Sequence, residues 1–180
     1  MKEFNKALLI IDIQDDFTGD KAKMPVDKKQ AAEIITNINR MLDGAEKSGI
    51  TPIYIGNEFS PRDITNIFRN NAAIKGTEGA KIDSRLRIAS NYYFAKHKNN
   101  SFSNPELDQF LMQKNIRDLY ISGLFAEACV YSTIKGALKN NYSVIAITDC
   151  IAAKTDKKRD KMIAQYKKAG IKCITAASIT

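Results

Sequence analysis

The spacing of short apolar runs restricts the fold more than any other feature of this sequence. Six of them, Ala7 to Ile13, Pro52 to Ile55, Tyr92 to Ala95, Leu119 to Ser122, Val144 to Thr148 and Lys172 to Thr175, are separated by amphipathic stretches. Most are continuous rather than alternating in polarity, as expected of parallel strands covered by helices on both faces. The pattern predicts an α/β fold with a six-stranded parallel sheet, and a length of 180 residues fits one domain spanning residues 1–180.

The intervening stretches carry helix signals. Ile34, Ile35, Ile38, Met41, Leu42 and Ala45 recur at helical spacing, with Gly49 placed as a C-terminal cap. Asn104-Pro105-Glu106 announces a helix whose inward stripe is Leu107, Phe110 and Leu111. Further helices are expected from Glu127 to Lys139 and from Asp156 to Lys168. The stretch from Asn57 to Ala80 is polar and weakly periodic around Ile64, Ile67 and Phe68, and reads as a long loop with one short helix.

Composition excludes several classes. No apolar run approaches the roughly 20 residues of a membrane span, and Met1-Lys2-Glu3 leads into a short run without a small-residue cleavage site, so a cytoplasmic location is expected. The net charge of +8 concentrates at Lys154, Lys157, Lys158, Arg159, Lys161, Lys167 and Lys168. On a helix this is a solvated face rather than a nucleic-acid surface, and no nucleic-acid partner is expected. Three cysteines without CxxC spacing and a single histidine, His97, argue against a disulfide framework and a structural zinc site.

In a right-handed parallel sheet the ligand site lies beyond the carboxyl ends of the strands, which makes those positions the ones to inspect. Asp12 interrupts the first apolar run, and a carboxylate there is costly without a partner. Lys96 follows the third run and supplies a cation. After the fourth, Gly123-Leu124-Phe125-Ala126-Glu127-Ala128-Cys129-Val130 turns into a helix, with Cys129 in a first turn whose dipole can lower a thiol's pKa. Together these permit nucleophilic catalysis: Asp12 takes the thiol proton, Lys96 orients the carboxylate and stabilises the thiolate, and Cys129 attacks a carbonyl. The backbone amides of Phe125 and Cys129 would form the oxyanion hole. Phe17 and Asn57, just beyond the first two strands, are candidate substrate-binding walls. Lys98 and Cys150 stand as alternative site residues, and Cys173 is assigned to the core.

In order and spacing these motifs resemble the isochorismatase-like cysteine hydrolases, which include nicotinamidases and N-carbamoylsarcosine amidase. The resemblance rests on Leu8-Leu9-Ile10-Ile11-Asp12-Ile13-Gln14-Asp15-Asp16-Phe17, on Lys96 six residues before Phe102, and on Gly123 six residues before Cys129-Val130. It continues through Thr133, Ala137, Asn141-Tyr142 and Asp149, and its interval to Phe102 favours Lys96 over Lys98. It implies a three-layer α/β/α fold of the Rossmann-like, doubly wound kind. It also implies an Asp12-Lys96-Cys129 triad, an acyl-enzyme intermediate, a cis peptide at Leu124-Phe125 and a homo-oligomer.

Departures from the family pattern narrow the chemistry. Nicotinamidases carry an Asp-x-His pair and further histidines around a metal; here the first stretch reads Asn57-Glu58-Phe59 and the later histidine position is Ala72. No metal and no cofactor are expected. Retention of Cys129 favours acyl transfer over vinyl-ether hydrolysis, and Ala126 replaces the family's usual Thr. The expected function is metal-independent hydrolysis of an amide-type C–N bond in a small molecule. The alternative is a dormant member of the same fold that binds a small ligand or a partner.

Overall fold

The computed structural model describes residues 5–45 and 47–179. Its sheet has six strands: β1 (Asn5–Ile11), β2 (Ile50–Asn57), β3 (Tyr93–Lys96), β4 (Ile116–Gly123), β5 (Ser143–Ile151) and β6 (Lys172–Ile174). Their order is β3-β2-β1-β4-β5-β6, and every pairing is parallel. The order reverses at β1, which lies between β2 and β4, so a crevice opens beyond the carboxyl end of β1.

The helices are α1 (Asp15–Thr18), α2 (Lys28–Ala45), α3 (Pro105–Gln113), α4 (Tyr131–Lys139) and α5 (Asp156–Lys168). Ile34, Ile38 and Met41 of α2 pack on Leu8 and Ile10 of β1. The opposite face of the same strand, Ala7, Leu9 and Ile11, meets Leu107 and Leu111 of α3, Ile134 of α4 and Tyr166 of α5. Both faces of β1 are thus buried, which is why its sequence is a continuous apolar run. The result is the expected three-layer α/β/α arrangement.

Local signals fix several boundaries. The Asn104 side chain accepts from the Glu106 N–H at 3.0 Å with Pro105 in the first turn, and Thr155 caps α5 by accepting from the Lys158 N–H at 3.3 Å. Gly49 does adopt a left-handed φ of +65°, but past the end of α2 at Ala45, in the turn that enters β2. Cys173, expected in the core, is only partly buried because β6 is an edge strand. The segment after β2 holds two 3₁₀ turns, Ile64–Arg69 and Glu78–Ala80, rather than one helix. Ile64, Ile67 and Phe68 face solvent on the first of them, so their weak periodicity does not mark a buried face. Among the described residues no helix is long and apolar enough to cross a membrane.

Candidate active site

Three strand ends converge on the crevice. β1 stops at Ile11, and Asp12 takes a left-handed φ of +58°, a conformation that Asp tolerates better than the apolar residues before it. The chain therefore leaves the sheet two residues earlier than the apolar run suggests. Lys96 closes β3 from inside the strand and pairs in register with Asn57, the last residue of β2. At the end of β4, Gly123 has φ +113°, and a Cβ there would lie 2.0 Å from the Ile11 carbonyl oxygen. Only glycine permits this approach of β4 to β1.

The turn that follows carries the thiol. The Leu124-Phe125 peptide is cis, as the resemblance implies. Residues Ala126–Val130 form a π turn, closed by the Val130 N–H donating to the Phe125 carbonyl at 3.2 Å, and α4 begins only at Tyr131. Cys129 therefore sits inside a π turn and not in the first turn of an α-helix. The Ala126 N–H donates to the Ala152 carbonyl at 2.8 Å, and the Tyr166 hydroxyl donates to the Ala126 carbonyl, which ties the turn to the residue after β5 and to α5.

Asp12, Lys96 and Cys129 are 1%, 1% and 6% exposed. The Lys96 Nζ lies 2.9 Å from Asp12 Oδ2, 2.7 Å from Asn57 Oδ1 and 3.3 Å from Cys129 Sγ. An ammonium has three protons, and each is aimed at one of these acceptors. Asp12 Oδ1 is buried without a hydrogen-bond partner, which leaves it free to receive a proton. Burial pulls the Lys96 ammonium down, but Asp12, the sulfur and the hydrogen bonds to both outweigh it and hold its pKa above the ordinary lysine value.

The thiol behaves differently from the sequence expectation. Burial first, and then the negative charge of Asp12, push Cys129 up to about 12, against the opposing pull of Lys96. A helix dipole does not prevail because the sulfur is desolvated beside a carboxylate. The resting cluster holds a protonated thiol next to a carboxylate–ammonium pair.

The remaining expectations sort by geometry. Phe17 is 2% exposed and meets the Phe125 ring edge-on at 5.9 Å, so it packs against the turn that leads to the thiol. Asn57 is buried and accepts from Lys96, which engages its side-chain oxygen within the cluster. Lys98 is exposed, and Cys150 lies inside β5 with its Sγ 3.6 Å from Met41 Sδ, in the core under α2. Two residues escaped sequence reasoning. The exposed Asn99 places its Oδ1 3.8 Å from Cys129 Sγ, and the wholly buried Gln14 grips the backbone of Asn57. Each looked like an ordinary polar loop residue, and only the fold brings it to the cluster.

The donor set does not fit a nicotinamidase-type metal. Asn57 is committed to Lys96, Glu58 Oε1 accepts from the Tyr93 hydroxyl at 3.0 Å, and Phe59 and Ala72 carry no ligand atom. The sole imidazole, His97, has its Nδ1 2.6 Å from the Glu58 carbonyl oxygen. Among the described residues no group of three His, Cys, Asp or Glu could hold a metal ion.

The isochorismatase domain matches residues 6–178, and the protein belongs to the isochorismatase family. A probable inactive nicotinamidase of Arabidopsis thaliana is 31% identical, over 95% of this chain and 92% of its own. A ureidoacrylate amidohydrolase of Yersinia enterocolitica is 26% identical, over 79% and 73%. The crystal structure of an isochorismatase-like hydrolase from Alkaliphilus metalliredigens superposes with a TM-score of 0.90 at 25% identity, covering 97% of this chain and 96% of that one.

Proposed function

We propose that this protein is a metal-independent cysteine hydrolase that cleaves an amide-type C–N bond in a small molecule through an acyl-enzyme intermediate. The observation that carries the reading is the Lys96 ammonium, buried and hydrogen-bonded to both the Asp12 carboxylate and the Cys129 sulfur. The family's hydrolases, and the amidohydrolase among the relatives, support it.

Because the resting thiol keeps its proton, that proton must leave as the sulfur attacks, and Asp12 receives it. The new Sγ–C bond forms a tetrahedral intermediate whose oxyanion is held by the backbone N–H groups of Phe125 and Cys129. Lys96 balances the negative charge during transfer. As the C–N bond breaks, the proton on Asp12 passes to the departing nitrogen, leaving a thioester. Asp12 then takes a proton from water as its oxygen attacks the thioester; the acid departs, and the sulfur recovers its proton from Asp12.

A dormant, ligand-binding member of the family is the second reading. It is favoured by the raised thiol and by the probable inactive state named for the Arabidopsis relative. Treatment with p-nitrophenyl acetate and a panel of small amides, followed by intact-mass and peptide mapping, separates the two. An acyl adduct on Cys129 that turns over supports the hydrolase; its absence with every acyl donor, or an adduct elsewhere, supports the dormant reading. A homo-oligomer belongs to the same proposal. Ile64, Ile67 and Phe68, exposed by 90%, 72% and 87%, support it, and a monomer mass in sedimentation would overturn it.

A further inference from the structure

Lys96 has a third partner outside the proposed triad, and that partner is itself tightly held. Asn57 and Lys96 are neighbours across the β2–β3 ladder, and the Glu58 N–H donates to the Lys96 carbonyl at 3.0 Å. The side chain of Gln14, which is 0% exposed, grips the Asn57 backbone from the other side. Its Oε1 accepts from the Asn57 N–H at 2.8 Å, while its Nε2 donates to the Asn57 carbonyl at 2.9 Å and to the Ala80 carbonyl at 2.6 Å. Both polar groups of the Asn57 backbone are thereby paired to one side chain, which also anchors the turn at Ala80.

This grip leaves the Asn57 carboxamide little freedom, and its Oδ1 stands 2.7 Å from the Lys96 Nζ. We propose that Asn57, held by Gln14, is a positioning residue: a neutral acceptor that fixes the Lys96 ammonium so that one of its protons faces Cys129 Sγ. The inference rests on the triad reading above.

Neutrality is the essential property. A carboxylate at position 57 could accept the same hydrogen bond, but it would set a second negative charge against one ammonium. That charge would draw the ammonium away from the sulfur and hold the thiol proton more firmly. A side chain without an acceptor would leave Lys96 free to settle on Asp12. In either case the thiolate loses its stabilising proton donor.

The test is the pH dependence of Cys129 labelling by iodoacetamide in the full chain, with circular dichroism and thermal melting as checks of folding. Asn57→Asp, which keeps the side chain's shape, is expected to slow Cys129 labelling about tenfold at every pH where the thiol is still protonated. Asn57→Leu is expected to slow labelling in the same direction. Gln14→Met should do so too, and should add little when combined with Asn57→Leu because both act through Lys96. A folded Asn57→Asp protein with the wild-type profile would overturn the proposal, and it decides the matter even where Asn57→Leu fails to fold. Lys96→Met separates the two levels. If it shifts the profile while the Asn57 variants do not, only the positioning role fails; if it too leaves the profile unchanged, the triad reading fails.

Discussion

Cys129 and Cys150 are both buried thiols, one in the π turn after β4 and the other within β5, yet their surroundings differ in kind. Cys150 lies within β5 against Met41 and the core under α2, and burial, with Asp149 nearby, pushes its pKa well above the usual thiol value. Cys129 is almost as deeply buried and is also pushed up, but Lys96 donates to it and Asp12 stands beside that lysine. Burial alone produces an inert sulfur. In the proposed mechanism, the unoccupied Asp12 oxygen and the Lys96 ammonium would give the second sulfur a route for its proton.

The sharpest break in the comparison is removal of each thiol. Cys129→Ala is expected to abolish hydrolysis of any amide or ester the protein turns over, by on the order of 10⁴-fold or more, while Cys150→Ala leaves kcat/KM unchanged. Steady-state kinetics on the best substrate from the acyl-donor panel checks both.

Next come the charged partners. Asp12→Asn removes the proposed base and should lower kcat by about 10²- to 10⁴-fold. It also leaves the Lys96 ammonium buried without its counter-ion, and urea denaturation followed by circular dichroism should show a loss of about 3–5 kcal/mol. Lys96→Met strands Asp12 in the same way. Replacing both at once should restore part of that stability and none of the activity.

A smaller effect is the pH dependence of stability. Cys129 stands at about 12 in the folded chain against an ordinary 9.0, so in that window the folded chain keeps a proton that the unfolded chain sheds. The associated stability is complete below the ordinary thiol value and is lost as pH rises toward the folded one. Its slope is at most about 1.4 kcal/mol per pH unit. The raised Lys96 adds a loss of the same sign that begins at the ordinary lysine value of 10.5. Cys129→Ala should make the alkaline decline shallower in pH-resolved denaturation. The smallest expected effect is that of Cys150→Ala on stability, about 1 kcal/mol for the lost core contact.

The strands were legible because both faces of the sheet are covered, which leaves a continuous apolar run wherever a strand crosses the core. Helix α3 was legible because Asn104-Pro105 is a local signal that acts within a few residues, whereas the Thr155 cap of α5 emerges only in the structure. Asp12 and Lys96 could be named because each lies at or just past the end of an apolar run, and Cys129 because the turn after the fourth run leads to it. What lay between them was not legible. The Asp12–Lys96 contact spans 84 positions in sequence, and Gln14 reaches Asn57 across 43 and Ala80 across 66. Gln14 followed an apolar run like any loop residue, and Asn57 looked like a pocket wall, because nothing local records that their polar atoms will be buried together. The thiol pKa was misjudged for the same reason: a helix dipole is visible in sequence, whereas desolvation beside Asp12 exists only in the assembled fold.

The most direct test of the coupled cluster needs no substrate. The rate of iodoacetamide labelling at each cysteine, resolved by peptide mass spectrometry from neutral to alkaline pH, is compared in wild type, Asp12→Asn and Lys96→Met. Asp12 raises the Cys129 pKa and Lys96 lowers it, so the two substitutions should move Cys129 in opposite directions. Asp12→Asn should label faster than wild type at neutral pH and Lys96→Met more slowly, with Cys150 unmoved in both. Indifference of Cys129 to both changes, or shifts of the same sign, would contradict the coupling on which the proposed chemistry depends.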